Sequence, residues 1–124
     1  MLFVCYPKCS TCQKARAFLD EHGAAYTLRD IKTENPTAEE LRCWWEKSGL
    51  PLKRFFNTSG MLYREFGLKE LLEGMDEDEQ LRMLSGNGML VKRPVLVGEN
   101  LVLVGFRESD WEALLDGTDG AAKA

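Results

Sequence analysis

Leu2-Phe3-Val4-Cys5-Tyr6-Pro7-Lys8-Cys9-Ser10-Thr11-Cys12-Gln13-Lys14-Ala15 is the stretch that decides the fold. Leu2 to Tyr6 is short, apolar and partly β-branched or aromatic, which predicts a buried strand. Pro7-Lys8 breaks it. From Ser10 the pattern turns helical: Cys12, Ala15, Phe18 and Leu19 share one face, and Gly23 stands where a C-terminal cap belongs. Ala25 to Ile31 reads as a second strand, with Tyr26, Leu28 and Asp30 alternating against Thr27, Arg29 and Ile31. Strand, helix and strand in that order predict a βαβ unit with parallel pairing.

Beyond this unit the pattern is helical. Thr37 and Glu40 form a capping box just after Pro36, opening a helix that carries Leu41, Trp44, Trp45 and Ser48 before Gly49 and Pro51. Phe55-Phe56 leads into a polar loop, Asn57-Thr58-Ser59-Gly60. Further helix is expected over Leu68–Leu72, and again from Asp76, with Glu79 at the third helical position, to about Ser85. After Pro94, Val95–Val97 and Leu101–Val104 read as strands, and Gly98-Glu99-Asn100 is short enough for an antiparallel hairpin. Ser109 and Glu112 are expected to cap a last helix bearing Trp111, Leu114 and Leu115. The order βαβ, helical insert, ββα predicts an α/β, thioredoxin-like fold with the insert between strands 2 and 3, at about 37–87. Residues 1–116 read as one domain and 117–124 as a small, polar, flexible tail.

A chain of 124 residues suits one domain, and 44% hydrophobic with 29% charged residues is ordinary for a soluble globular protein. The net charge of −4, with no basic block, argues against direct nucleic-acid binding. No run approaches the about 18 consecutive apolar residues of a membrane span. Met1 to Tyr6 lacks a basic leader and a small-residue cleavage site, so no signal peptide is expected and the cytoplasm is the expected location. In such a reducing compartment Cys5, Cys9, Cys12 and Cys43 do not form a structural disulfide framework.

Cys9 and Cys12 follow a strand and open a helix, the context in which Cys-x-x-Cys becomes a redox motif. Cys9 precedes the first turn, whose free N–H groups and dipole favour a thiolate. Cys12 lies three residues on, along the same face, within reach of a disulfide with Cys9. Lys8 and Lys14 add positive charge. Zinc bound by Cys5, Cys9, Cys12 and His22 or Cys43 is disfavoured: Cys5 should point into a strand core, there is no second Cys-x-x-Cys, and His22 belongs to a distant turn. No metal is expected. Cys5 and Cys43 read as inert small hydrophobes. His22 reads as a surface residue at the negative end of its helix. Trp44 and Trp45 read as core or interface, and Glu77-Asp78-Glu79 as a solvated face.

Taken with Phe55-Phe56-Asn57-Thr58-Ser59-Gly60, Lys92-Arg93-Pro94 and Val104-Gly105-Phe106, the motif from Tyr6 to Ala15 resembles the ArsC-like, glutaredoxin-coupled arsenate reductase family, which also contains the Spx redox regulators. The resemblance extends to about Leu115. It implies a thioredoxin-like fold with a helical insert, Arg93 facing the cysteines, and a cis bond at Pro94. A guanidinium near Cys9 would stabilise its thiolate and could bind an oxyanion through two parallel bonds. Arsenate reductases of this family use one cysteine and three arginines around the anion. This chain matches them at Cys9 and Arg93 only, with Asn57 at a second arginine position and Val104-Gly105-Phe106 at the third. Losing two cations predicts an inefficient arsenate reductase.

The resulting expectation is a thiol–disulfide oxidoreductase in which Cys9 attacks, Cys12 resolves and Arg93 stabilises the thiolate. Lys8, Ser10, Thr11, Asn57, Thr58, Ser59 and Pro94 would line the substrate site. No bound cofactor is expected; glutathione, or a thioredoxin or glutaredoxin, would donate electrons. The alternative is an Spx-like redox-sensing regulator, whose partner in that family is RNA polymerase.

Overall fold

The computed structural model describes the backbone of residues 1–122 and the side chains of residues 1–115. Strand β1 (Leu2–Cys5) is followed by helix α1 (Ser10–Glu21) and strand β2 (Thr27–Asp30). The insert comprises α2 (Ala38–Ser48), α3 (Met61–Glu65), α4 (Leu68–Leu71) and α5 (Glu77–Gly86), with 3-10 turns at Leu52–Phe55, Leu72–Gly74 and Gly88–Leu90. Strands β3 (Val95–Val97) and β4 (Val102–Val104) and helix α6 (Glu108–Ala122) complete the chain. The sheet order is β2-β1-β3-β4. β1 pairs parallel with β2 and antiparallel with β3, and β3 and β4 form the expected hairpin. The flexible tail expected at 117–124 overlaps the end of α6; its side chains, and residues 123–124 altogether, lie outside the described residues.

Alternation along the strands divides the apolar residues into two layers. Val4 and Val95 face the insert, where they meet Ile31, Leu41, Phe55, Phe56 and Val91. Phe3, Cys5 and Leu96 face the other way, against Cys12, Ala15 and Leu19 of α1 and Trp111 of α6. The predicted Thr37–Glu40 capping box forms, and Asp76 and Glu79, at the predicted start of the later helix, form a second one. Gly49 ends α2 with φ 68°, the left-handed conformation that a side chain disfavours.

Two boundaries differ from expectation. β2 is shorter than Ala25–Ile31 because Asp30 Oδ1 accepts the N–H groups of Lys32 and Thr33, turning the chain, while Ile31 plunges into the insert layer. The last helix starts at Glu108, so Ser109 lies inside its first turn rather than capping it. The carbonyl of Arg107 receives the N–H groups of Asp110 and Trp111.

The insert is tied to the sheet at three places. Arg29 grips Glu40 through two nitrogens, at 2.6 and 2.9 Å, and also donates to the carbonyls of Glu34 and Asn35. Next to Arg93, Asn57 N–H donates to the Leu90 carbonyl (2.7 Å) and Lys92 N–H to that of Phe55 (2.8 Å), so residues 55–57 and 90–92 run as a short antiparallel pair. The third tie is Gly88, where a Cβ would stand 1.8 Å from the Ile31 carbonyl oxygen. The neighbour is backbone and cannot give way, so Gly88→Ala should destabilise the fold by about 1–3 kcal/mol, the usual cost of overpacking. A lowered urea midpoint at unchanged denaturant slope is the expected readout; an unchanged midpoint would show that the insert is free to shift from the sheet.

Candidate functional site

The turn between β1 and α1 brings the two cysteines together. Cys9 is the N-cap residue of α1 and half-buried; Cys12, one turn on, is 1% exposed. The Tyr6 carbonyl accepts the Cys9 N–H (2.9 Å), and Tyr6 N–H donates to Cys12 Sγ (3.3 Å). Gln13 closes the turn by donating to the Pro7 carbonyl (3.1 Å). No side chain caps α1. The helix N–H groups that an Asp or Ser would normally satisfy are therefore open to the Cys9 sulfur.

These surroundings make the thiols unequal. Burial pushes the Cys9 thiol up, but the backbone N–H groups of Cys12 and Thr11, the Cys12 side chain and the Arg93 charge outweigh it, leaving the pKa below the ordinary cysteine value. Cys12 goes the other way: burial pushes it up to about 12, with the nearby Cys9 and Cys5 adding to the rise and the Tyr6 N–H opposing it. The two thiols are thus shifted in opposite directions, Cys9 toward easier ionisation and Cys12 away from it.

The charge of Arg93 reaches Cys9, as the last of the influences on its thiol. The peptide bond from Arg93 to Pro94 is cis, as the family resemblance implies, and Pro94 is buried at the start of β3. The guanidinium lies 5.5 Å from the centroid of the Tyr6 ring and donates weakly to the Met89 carbonyl (3.4 Å). Its Nε is enclosed without a hydrogen-bond partner among the described residues. Arg93 borders an open cleft of about 380 Å³ shared with Asn57, Gly60, Met61, Leu62, Glu65 and Met89.

The other expected site residues divide. Lys8 is exposed in the turn, and Ser10 and Thr11 are exposed in the first turn of α1, where Thr11 contributes its backbone N–H. Asn57 shares the Arg93 cleft, whereas Thr58 borders a different one with Lys53, Arg54 and Lys92, and Ser59 is exposed on the loop. Cys43, expected to behave as a small hydrophobe, is exposed on α2 because it points away from the Leu41–Trp44 face. His22 caps α1, its Nδ1 2.9 Å from the Phe18 carbonyl and its ring stacked on Phe18. Among the described residues no group of three or more His, Cys, Asp or Glu is placed to hold a metal ion, and no helix is long and apolar enough to cross a membrane.

Sequence reasoning missed Tyr6, which bonds both cysteines through its backbone and supports Arg93 with its ring. Only its position between the strand and the Cys-x-x-Cys hinted at this. It also missed Glu65, whose helix α3 carries no strong start or stop signal.

If Arg93 acts on Cys9 by charge, Arg93→Ala should slow Cys9 alkylation at about pH 6–7 by about three- to tenfold, the size expected for one partly screened charge. Arg93→Lys should restore only part of the rate. An unchanged pH–rate profile in the alanine variant would remove Arg93 from the site.

Comparison with known proteins agrees with this architecture. The ArsC family profile matches residues 5–114. YusI of Bacillus subtilis (strain 168) is 52% identical over 112 residues, covering 90% of this chain and 95% of that protein. The global transcriptional regulator Spx of Staphylococcus saprophyticus is 25% identical over 104 residues, covering 84% and 78%. The crystal structure of an ArsC-family-related protein from Bacteroides fragilis superposes with a TM-score of 0.88 at 54% identity, covering 91% of this chain and 95% of that one. A structure described as a possible arsenate reductase from Streptococcus mutans UA159 superposes with a TM-score of 0.81 at 46% identity, covering 90% and 96%. With the thioredoxin-like sheet, the cis Arg93–Pro94 bond and the cysteine-bearing turn in place, this chain belongs to the ArsC family.

Proposed function

We propose that the chain is a thiol–disulfide oxidoreductase working through Cys9 and Cys12. The observation that carries this reading is the unequal placement of two adjacent thiols: Cys9 half-buried at a helix N-terminus with no side-chain cap, and Cys12 buried one turn on, which lowers the pKa of the first and raises that of the second. The Cys9 thiolate attacks one sulfur of a substrate disulfide and expels the other half as a thiolate, leaving a mixed disulfide. Cys12 then gives its proton to solvent base and attacks Cys9 Sγ, releasing the second substrate half as a thiolate and forming the Cys9–Cys12 disulfide. Two of the influences that hold Cys12 protonated come from Cys9 itself, its charge and its side-chain hydrogen bond. Both weaken once the Cys9 sulfur is tied up in the mixed disulfide, so Cys12 becomes easier to ionise when it is needed. Two electrons from glutathione, or from a thioredoxin or glutaredoxin, restore the dithiol.

Arsenate is a poor fit. Arg93 is the single cation of the expected three, Asn57 offers a neutral amide, and Phe106 packs edge-on against Phe18 and Trp111. Each missing charged hydrogen bond forfeits about 1.5–3 kcal/mol of anion stabilisation. In a coupled assay, reduction of a small disulfide should proceed with one of the named donors and vanish in Cys9→Ser, while Cys12→Ser should accumulate the mixed disulfide. Arsenate should turn over at well below about 1 per second. Disulfide reduction that survives Cys9→Ser would refute the proposed mechanism, and brisk arsenate turnover would refute the substrate assignment.

A second reading rests on the relatives named as regulators, Spx and the MgsR protein of Bacillus subtilis (26% identical over 110 residues). In it the dithiol senses redox state and the surface binds RNA polymerase. Co-purification with polymerase, dependent on the Cys9–Cys12 redox state and unaccompanied by turnover with any donor, would favour it over the enzyme.

A further inference from the structure

Cys5 is a buried thiol that the reaction above leaves unused. It ends β1 on the α1 side of the sheet, is 3% exposed, and packs in one apolar layer with Cys12, Phe3, Ala15 and Leu96. Tyr6, the residue after Cys5, holds the Cys12 sulfur with its N–H at 3.3 Å, which brings that sulfur alongside the end of β1. Cys5 and Cys12 pack in this one buried layer, close enough for each to influence the ionisation of the other, and half-buried Cys9 packs against the same layer. The three thiols thus run from the core toward the surface, Cys5 and Cys12 buried and Cys9 half-buried against them.

We propose that Cys5 is a third member of the redox centre, which draws the disulfide inward: the Cys5 sulfur attacks Cys12 Sγ of the Cys9–Cys12 disulfide, forming Cys5–Cys12 and releasing Cys9 as a thiolate. The inference rests on the dithiol reading above. One S–S bond forms as another breaks, the bonding pair leaves with Cys9, and the Cys5 proton passes to solvent base. No further oxidant or reductant is consumed. Direction follows from leaving-group chemistry, because the more stable thiolate departs faster. Cys9, at the helix entrance and within the field of Arg93, is the better leaving group of the pair. The product keeps its oxidising equivalent in the core while presenting a reactive Cys9 at the surface, so an oxidised molecule can still capture a second disulfide or electrophile.

The step has a built-in pH dependence. Burial pushes Cys5 above the ordinary thiol range; Arg16 of α1 opposes this, while Asp30 of β2 and Cys9 add to it, and the Cys12 contact lowers it again. Below the Cys5 pKa the exchange should quicken about tenfold for each unit of pH.

The lysines allow a direct test, since trypsin cuts after Lys8 and Lys14 and so separates Cys5 (residues 1–8) from Cys9 and Cys12 (residues 9–14). The full chain is oxidised with one equivalent of diamide, incubated at about pH 7 and about pH 8, quenched in acid, blocked with N-ethylmaleimide, digested, and mapped by mass spectrometry. The expected course is an internally looped 9–14 peptide that converts with time to a cross-linked pair of peptides carrying maleimide on Cys9, about ten times faster at the higher pH. Cys9→Ser should form Cys5–Cys12 directly, and Cys5→Ala should hold the looped form with Cys9 blocked. A looped peptide that never converts, or a cross-link that leaves Cys12 alkylated, overturns the role of Cys5 and leaves the dithiol reading standing. If neither the loop nor the cross-link forms, the dithiol reading fails and this inference with it.

Discussion

The backbone of Tyr6 is bonded twice to the cysteine pair, donating to Cys12 Sγ and accepting from the Cys9 N–H. Everything distinctive about the site depends on this junction. It fixes the distance between the end of β1 and the start of α1, and so places Cys9 at the N-cap rather than one residue to either side. There the first helical bond is the Gln13 N–H to the Cys9 carbonyl, so the N–H groups of the preceding turn have no carbonyl partner within the helix. The absence of a side-chain cap on α1 costs the helix some stability, on the order of 1 kcal/mol for a missing cap. The same open donors stabilise the thiolate, so local instability and chemical function are two sides of one arrangement.

The charge that assists Cys9 arrives from the far end of the sequence by a different route. Arg93 is delivered by the strand that pairs with β1, supported from one side by the ring of Tyr6 and bounded on the other by the insert. The 55–57 and 90–92 pairing keeps the insert from drifting away from it. Gly88 and the Arg29–Glu40 pair lock the same block of helices to the sheet at separate points. The geometry of a single guanidinium is therefore the product of several ordinary packing contacts.

Much of this was legible in the sequence, for reasons that are local. The βαβ unit, the two capping boxes and the β3–β4 hairpin announce themselves through residues that act on their own neighbours: Thr37 on Glu40, Asp76 on Glu79, the Gly98 turn on the strands it joins. What escaped reading is tertiary. Gly88 is glycine because of Ile31, 57 residues away in the chain by the difference of the two numbers, and no pattern around Gly88 says so. Helix α3 has no side-chain cap and owes its existence to Tyr63 and its packing against the insert core. Thr58 and Ser59, adjacent to Asn57 in sequence, diverge from it because the loop turns sharply there, with Gly60 N–H bonded back to the Asn57 carbonyl. Cys5 reads as a strand hydrophobe and packs as one, and its neighbour Cys12 becomes visible only once the helix is laid on the sheet.

The alternation of side chains along β1 and β3 has a consequence of its own. The cysteines belong to the layer of α1 and α6, while the surroundings of Arg93 belong to the layer of the insert, and the sheet stands between them. The cysteines and the surroundings of Arg93 are therefore mounted on opposite sides of the sheet and meet only at its rim. The packing of the insert sets the surroundings of the guanidinium, while the β1–α1 turn sets where the sulfurs stand. Such an arrangement separates two adjustments that a one-layer site would couple: reactivity can be retuned, and the shape of the entrance remodelled, while the chemistry underneath keeps its register.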